Sequence, residues 1–262
     1  MDMAYDTLQL RFDGAIATIT LARPEKRNAI STRMIGDVLD ALDEVEQAAA
    51  RVVIITGSGK AFCAGMDLEG LKALAGQSAA QNLDDSRRMA RMFNRIYAFA
   101  KPVIAAVNGA AIAGGCGIAT LADFTIAVPE AKFGYTEVRI GFIPALVSVF
   151  LRRQIGEKHT RDLLLSGRAI EAAEAMRLGL VTEIVPAERL MARVHEIAAT
   201  LIAASPASLA RTKQLLVESQ AAELNQEIER AIRANAEIRS TADFREGVAS
   251  FLEKREPKWR GC

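Results

Sequence analysis

Hydrophobic and polar positions along this chain change period several times, and each change marks an element. Leu8, Leu10 and Phe12 alternate with polar neighbours, and beyond Asp13-Gly14 the alternation resumes with Ile16, Thr18 and Thr20 on one face and Ile19 and Leu21 opposite. A period of two predicts strands, and the Asp-Gly pair between them predicts a hairpin turn. Arg23-Pro24 ends the ladder, residues 24–29 read as a polar loop with two cations, and Ser31 is placed to cap a helix running to about Ala50. Residues 52–56, 103–107 and 124–128 are short apolar runs rich in β-branched side chains, which predicts buried strands. Small-residue loops follow the first two runs, at 61–68 and 110–115, and each leads into a helical pattern, the second being an apolar helix over 116–121. Met89, Met92, Phe93, Ile96 and Phe99 recur at helical spacing behind the polar stretch 77–81, which reads either as a flap over a ligand or as an ordinary connector. The strand-loop-helix order occurs four times, and this predicts an α/β fold with right-handed crossovers and a mainly parallel, layered sheet.

Beyond Leu151 the period is helical. Residues 157–166, 171–178, 187–204 and 208–219 are separated by Gly167, Gly179 and Ser205-Pro206, with a short strand at 180–185. From 205 to 262 no strand signal remains, so the chain divides into a core at 1–204 and a helical module at 205–262.

Composition narrows the partner. Half of the 262 residues are apolar, enough for a full core. Lys plus Arg number 33 against 32 Asp plus Glu, so no global field recruits nucleic acid or an anionic membrane, and a small molecule is the expected partner. Cys63, Cys116 and Cys262 have no paired spacing, which fits a reducing compartment and argues against a disulfide framework or zinc ribbon. His159 and His195 sit in charged helical segments and read as surface residues, so no metal is expected. The first ten residues lack the pattern of a secretory leader, and no apolar run reaches the roughly 20 residues that span a bilayer. The expected location is the cytoplasm.

Candidate chemistry lies in three loops. Gly57-Ser58-Gly59-Lys60 lacks the spacing of a nucleotide phosphate loop, and 113–117 lacks the dinucleotide fingerprint. The small residues at 61–68 and 110–115 instead leave backbone amides bare at the ends of two strands, and two N–H donors aimed at one oxygen form an oxyanion hole. Glu137 is a lone carboxylate among small and apolar neighbours, suited to moving a proton next to such an oxygen. Each feature also has a structural reading. The loops serve tight packing, Glu137 pairs with Arg139 at the surface, Asp67 caps a helix, and Gly117 permits close helix contact. Arg87, Arg88 and Arg91 would suit a substrate carboxylate, or form a solvated face.

The segments 62–68, 107–116 and 132–144 together resemble the crotonase superfamily, the enoyl-CoA hydratase/isomerase family, and the likeness runs from Arg23-Pro24 to Arg255. It implies a spiral of repeated β-β-α units with a C-terminal helical module that packs between subunits of a homotrimer or homohexamer. It implies an acyl-CoA thioester substrate, coenzyme A being part of that substrate, with no further cofactor and no metal. The amides of Met66 and Gly114 would hold the thioester oxygen, and Glu137 would move the proton. Lys26, Arg27, Ala29, Ala64, Asp67, Leu68 and Gly117, with Phe251 and Lys254 from this subunit or a neighbour, would line the CoA and acyl site.

One departure bears on the reaction. Where two-glutamate hydratases carry their other acid, this chain has Gly117. The leading expectation is addition or elimination of water at a 2-enoyl-CoA, since 137–148 resembles the hydratases of branched acyl-CoA breakdown, the methylglutaconyl-CoA type. A single-glutamate 3-enoyl/2-enoyl-CoA isomerase is the alternative, and a non-catalytic acyl-CoA-binding homologue the second.

Overall fold

The structure is a computed structural model that describes residues 2–74 and 76–261, with residues 2–4 and 68 described by backbone alone. Cys262 lies outside the described residues. β1 (Asp2–Ala4), β2 (Leu8–Asp13) and β3 (Ile16–Leu21) form an antiparallel meander. The hairpin loop falls one residue later than the Asp-Gly signal indicates. Asp13 pairs with Ile16, so Gly14-Ala15 makes the turn, and Gly14 supplies the positive φ of 54°. α1 (Thr32–Gln47) follows, capped by Ser31, whose Oγ accepts from the Met34 N–H at 3.1 Å. Its buried stripe of Met34, Ile35, Val38, Ala41, Leu42 and Val45 has the helical period that the sequence shows.

Three units then repeat one plan. The first is β4 (Val52–Gly57), β5 (Ala61–Cys63), α2 (Leu68–Leu74) and α3 (Ala79–Tyr97). The second is β6 (Val103–Val107), β7 (Ala110–Ile112) and α4 (Gly114–Thr120). The third is β8 (Phe124–Ala127), β9 (Lys132–Gly134), a 3₁₀ turn at Glu137–Ile140 and α5 (Ala145–Ser166). In each unit the first strand joins a seven-stranded sheet that is parallel from β3 onward. The second joins a four-stranded sheet in which β5, β7 and β9 run parallel. This is the β-β-α spiral. The chain crosses between sheets where backbones touch: a Cβ on Gly109 would stand 2.2 Å from the Lys60 carbonyl oxygen, so only glycine fits.

The reading of 61–63 and 110–112 as loop is therefore corrected. Both are strands, three residues long, too short to display a period.

β10 (Ala169–Glu171) pairs antiparallel with β9, α6 (Ala172–Leu178) follows, and β11 (Glu183–Ile184) is shorter than expected. The helix expected from Glu157 begins at Ala145 and breaks its regular dihedrals at Gly156 (φ 72°, ψ 168°). Last come α7 (Leu190–Ala203), α8 (Pro206–Glu218), α9 (Ala221–Glu237) and α10 (Ala242–Glu253). α9 packs against α3 and α5, sending Leu224 and Ile232 into the core that the strands share. α10 packs on the 3₁₀ turn and on α2, where Phe244 and Val248 meet Leu71, Leu74 and Phe142. Among the described residues no helix is long and apolar enough to cross a membrane.

Candidate active site

Because β5, β7 and β9 are parallel neighbours, their C-terminal ends open on one edge of the small sheet, and each delivers one loop there. The loop after β5 passes Gly65 (φ 87°) and makes a parallel bridge between Met66 and Ile30. That bridge uses the Ile30 N–H to the Gly65 carbonyl at 2.7 Å and the Asp67 N–H to the Ile30 carbonyl at 2.9 Å, so the Met66 amide stays out of the exchange. The loop after β7 is tied down by the Ala113 N–H, which donates to the Gly134 carbonyl at 2.6 Å. Gly114 is the first residue of α4, and a first-turn amide has no partner within its helix. Glycines let the two loops meet. A Cβ on Gly65 would lie 3.0 Å from the Ile112 carbonyl oxygen, and one on Gly115 would lie 2.3 Å from the Cys63 carbonyl oxygen.

The loop after β9 carries Glu137. The residue is 8% exposed, its Oε2 has no hydrogen-bond partner, and Arg139 is exposed and makes no ion pair with it. Burial pushes the carboxyl up to about 7, with its own backbone N–H opposing the rise. Beside it Tyr135 is fully enclosed, its hydroxyl 3.0 Å from Thr120 Oγ1. The free thiols Cys63 and Cys116 are buried and burial pushes both up to about 12, so neither offers a thiolate at neutral pH.

Met66, Gly114 and Glu137 share the wall of one cavity of about 620 Å3, with Ile30, Met89, Phe93, Ile112 and Phe142 as much of its apolar lining. Ala29 and Ala64 are also on the wall, and Lys26, Arg27 and Lys254 bring three cations to it. Asn28 shapes the loop that carries Lys26 and Arg27: its side chain accepts from the Arg23 N–H and donates to the Ser58 and Ala61 carbonyls, all at 2.9 Å. Phe251 and Lys254 reach this wall from the end of α10.

Asp67 reaches the wall but is committed elsewhere. Its Oδ1 accepts the Glu69 N–H at 2.9 Å, and its Oδ2 pairs with Arg23 at 2.6 Å. Burial would raise this carboxyl, but the Glu69 amide and Arg23, with Lys26 behind them, hold it below the usual range. Leu68 opens α2, and its side chain lies outside the described residues.

Gly117, expected on the binding surface, sits behind the wall. A Cβ there would stand 2.7 Å from Val147 Cγ1 and 3.2 Å from the Phe93 ring, so apolar side chains occupy the space of any carboxylate at this position. Arg87, Arg88 and Arg91 lie on the exposed face of α3, off the cavity, with Arg88 paired to Asp84 at 2.6 Å. Two wall residues escaped sequence reasoning, Asn235 of α9 and Arg239 just after it. Both sit in a charged helical stretch whose polar face gives no sign of being buried. Among the described residues, no three His, Cys, Asp or Glu side chains group as metal ligands would.

Comparison with known proteins agrees with this geometry. The family model described as enoyl-CoA hydratase/isomerase matches residues 11–262. A Thermus thermophilus protein provisionally named an enoyl-CoA hydratase is 43% identical over 94% of this chain and 98% of its own length. The crotonyl-CoA hydratase of Syntrophomonas wolfei is 34% identical over 97% of this chain and 98% of its own. The crystal structure of an enoyl-CoA hydratase from Bacillus halodurans superposes with a TM-score of 0.88 at 27% identity, covering 94% of this chain and all of that one.

Proposed function

The chain is an enzyme that belongs to the enoyl-CoA hydratase/isomerase family, and from that premise we propose that it adds water to, or removes it from, a 2-enoyl-CoA thioester through Glu137 alone. The Met66 and Gly114 amides hold the thioester oxygen. In the hydration direction the Glu137 carboxylate takes a proton from water as the hydroxide oxygen bonds to C3, and the electron pair of the double bond moves onto the thioester as an enolate. Glu137 then returns the same proton to C2, so one water is gained and the acid ends as it began; elimination runs the steps backward. A carboxyl near 7 exists in both protonation states at neutral pH, which this shuttle requires. The observation that carries the reading is Glu137 itself, buried with its Oε2 unmet on the cavity wall that Met66 and Gly114 share. Coenzyme A enters as the handle of the substrate, with Lys26, Arg27 and Lys254 having the sign its phosphates need, and no further cofactor takes part.

One observation favours a second reading. Phe93 and Val147 fill the space beside Gly117, so no second carboxylate fixes a water there. A single acid can also carry a proton from C4 to C2 of a 3-enoyl-CoA, which is a double-bond isomerisation. Mass spectrometry of thioesters after incubation with 2-enoyl- and 3-enoyl-CoA substrates, a 3-methylglutaconyl thioester among them, separates the two. A product heavier by one water supports hydration. Conversion of the 3-enoyl compound to its conjugated isomer without hydration would replace it with isomerisation.

The same reading extends to assembly and place. α8 buries none of its residues within the chain, which supports a subunit contact in a trimer or hexamer, and we place the enzyme in the cytoplasm.

A further inference from the structure

Apart from the catalytic edge and the charged residues around Lys26 and Lys254, the cavity wall is polar where Asn235 and Arg239 reach it. There Arg239, 2% exposed, lies over the Phe142 ring with its guanidinium carbon 5.6 Å from the ring centre. It donates to Asp85 at 2.8 Å and to Asn235 Oδ1 at 2.8 Å. Its Nε–H is buried and has no acceptor. Asn235 Oδ1 also accepts from Ser86 Oγ at 2.7 Å, which commits the oxygen of that amide to the protein and leaves its NH2 as the group available on the wall. This cluster thus holds one buried donor without an acceptor, the Arg239 Nε–H, beside an amide NH2 that reaches the wall. An unmet buried donor is costly, and a charged one more so, unless something arrives to accept from it.

α3 sets the distance. Phe93 stands against Gly114, Met89 is one turn earlier on the same face, and Ser86 and Asp85 come next. At about 1.5 Å per residue, Ser86 lies roughly 10 Å along α3 from the oxyanion end.

Resting on the acyl-CoA reading above, we infer that Asn235 and Arg239 recognise a carboxylate at the far end of the acyl chain, making this a site for an ω-carboxyacyl thioester on the order of six to eight carbons long. A carboxylate supplies the acceptor that the Nε–H lacks and can also accept from the NH2, and the guanidinium, shared with Asp85, makes those bonds charge-assisted. A methyl-ended chain leaves the Nε–H stranded, and a site built this way discriminates against the ligand that lacks the polar group.

Saturated thioesters cannot react, so their binding tests this inference apart from the chemistry. Calorimetric titration of the full-length protein with six- and eight-carbon saturated acyl-CoA, ending in carboxylate or in methyl, should show the carboxylate form at least tenfold tighter at one of the two lengths. Asn235→Asp keeps the acceptor for Ser86 and Arg239, replaces the donor by an oxygen and adds a negative charge that repels a nearby carboxylate. It should lower the ratio of the two affinities tenfold or more, and Ser86→Ala, which leaves Arg239 as the one donor holding the amide oxygen, should lower it severalfold. Equal or tighter binding of the methyl forms overturns the inference, and so does a ratio that neither variant moves. If no thioester binds, the acyl-CoA reading itself has failed, and this inference falls with it.

Discussion

Burying a carboxyl group with one oxygen unmet favours its protonated form, and at Glu137 this links the proposed proton transfer to stability. The folded group titrates near 7 against a usual 4.5, so between those values the folded protein keeps a proton that the unfolded chain has lost. Stability therefore falls as pH rises through that window, by about 3 kcal/mol, and changes little from this source above it. Glu137→Gln removes the titration. We expect it to match the wild type near pH 4 and to exceed it by about 3 kcal/mol near pH 8, read from urea midpoints, while kcat drops by about 10²–10⁴. In the hydration direction the wild-type kcat/KM should rise with an inflection near 7; a profile flat through neutrality would show that another group moves the proton. Ala113 is a second strained point: φ 50° and ψ −125° suit glycine, and alanine there costs about 1–3 kcal/mol. The hydrogen bond from its N–H to the Gly134 carbonyl holds it in place. Ala113→Gly should raise stability by about 1 kcal/mol once the extra freedom of the unfolded chain is subtracted, measured by denaturant unfolding.

α4 shows how an element only seven residues long can decide what chemistry its neighbours perform. Two of its glycines face different obstacles: Gly115 meets the fixed carbonyl of Cys63, whereas Gly117 meets the side chains of Val147 and Phe93. A backbone obstacle cannot yield, but a valine can be shortened. Gly115→Ala should prevent folding or cost more than about 4 kcal/mol, and Gly117→Ala should cost about 1–3 kcal/mol. Val147→Ala should recover much of the second loss and none of the first, a coupling that a double-mutant cycle in urea reads directly. The contrast also marks how far the sequence was legible. The long strands and α1 announced themselves by period, and the Gly- and Ala-rich turns revealed where amides lie bare. β5, β7 and β9 did not, because Ala-Phe-Cys, Ala-Ala-Ile and Lys-Phe-Gly are too short to alternate visibly. Their parallel pairing is what brings Met66, Gly114 and Glu137 to one edge. Asn235 and Arg239 were out of reach for another reason: their partners Asn82, Asp85 and Ser86 lie some 150 residues away, and a polar residue buried by a distant helix leaves no local signal.

On the scale of the whole molecule, α8 is the element the single chain leaves unfinished. It is 13 residues long and none is buried, and Leu215 and Leu216 are 52% and 67% exposed. A helix of that length is marginal in water by itself, and adjacent exposed leucines are a surface that association would cover. Light scattering should therefore give three or six times the 28.3 kDa of one chain, and Leu215→Glu with Leu216→Glu should shift the population toward the monomer. The cavity adds a condition to that experiment. Every wall residue named above, including Phe251 and Lys254 on α10, comes from one chain, and α9 and α10 are held by α3, α5, α2 and the turn that carries Glu137. A site complete in each subunit, with assembly contributing stability alone, makes a definite prediction. The dissociated double variant should bind a saturated acyl-CoA within about threefold of the assembled protein, while its melting temperature falls. A loss of affinity in step with dissociation would mean that a neighbouring copy completes the site, and that the exposed edge of Phe251 is where it enters.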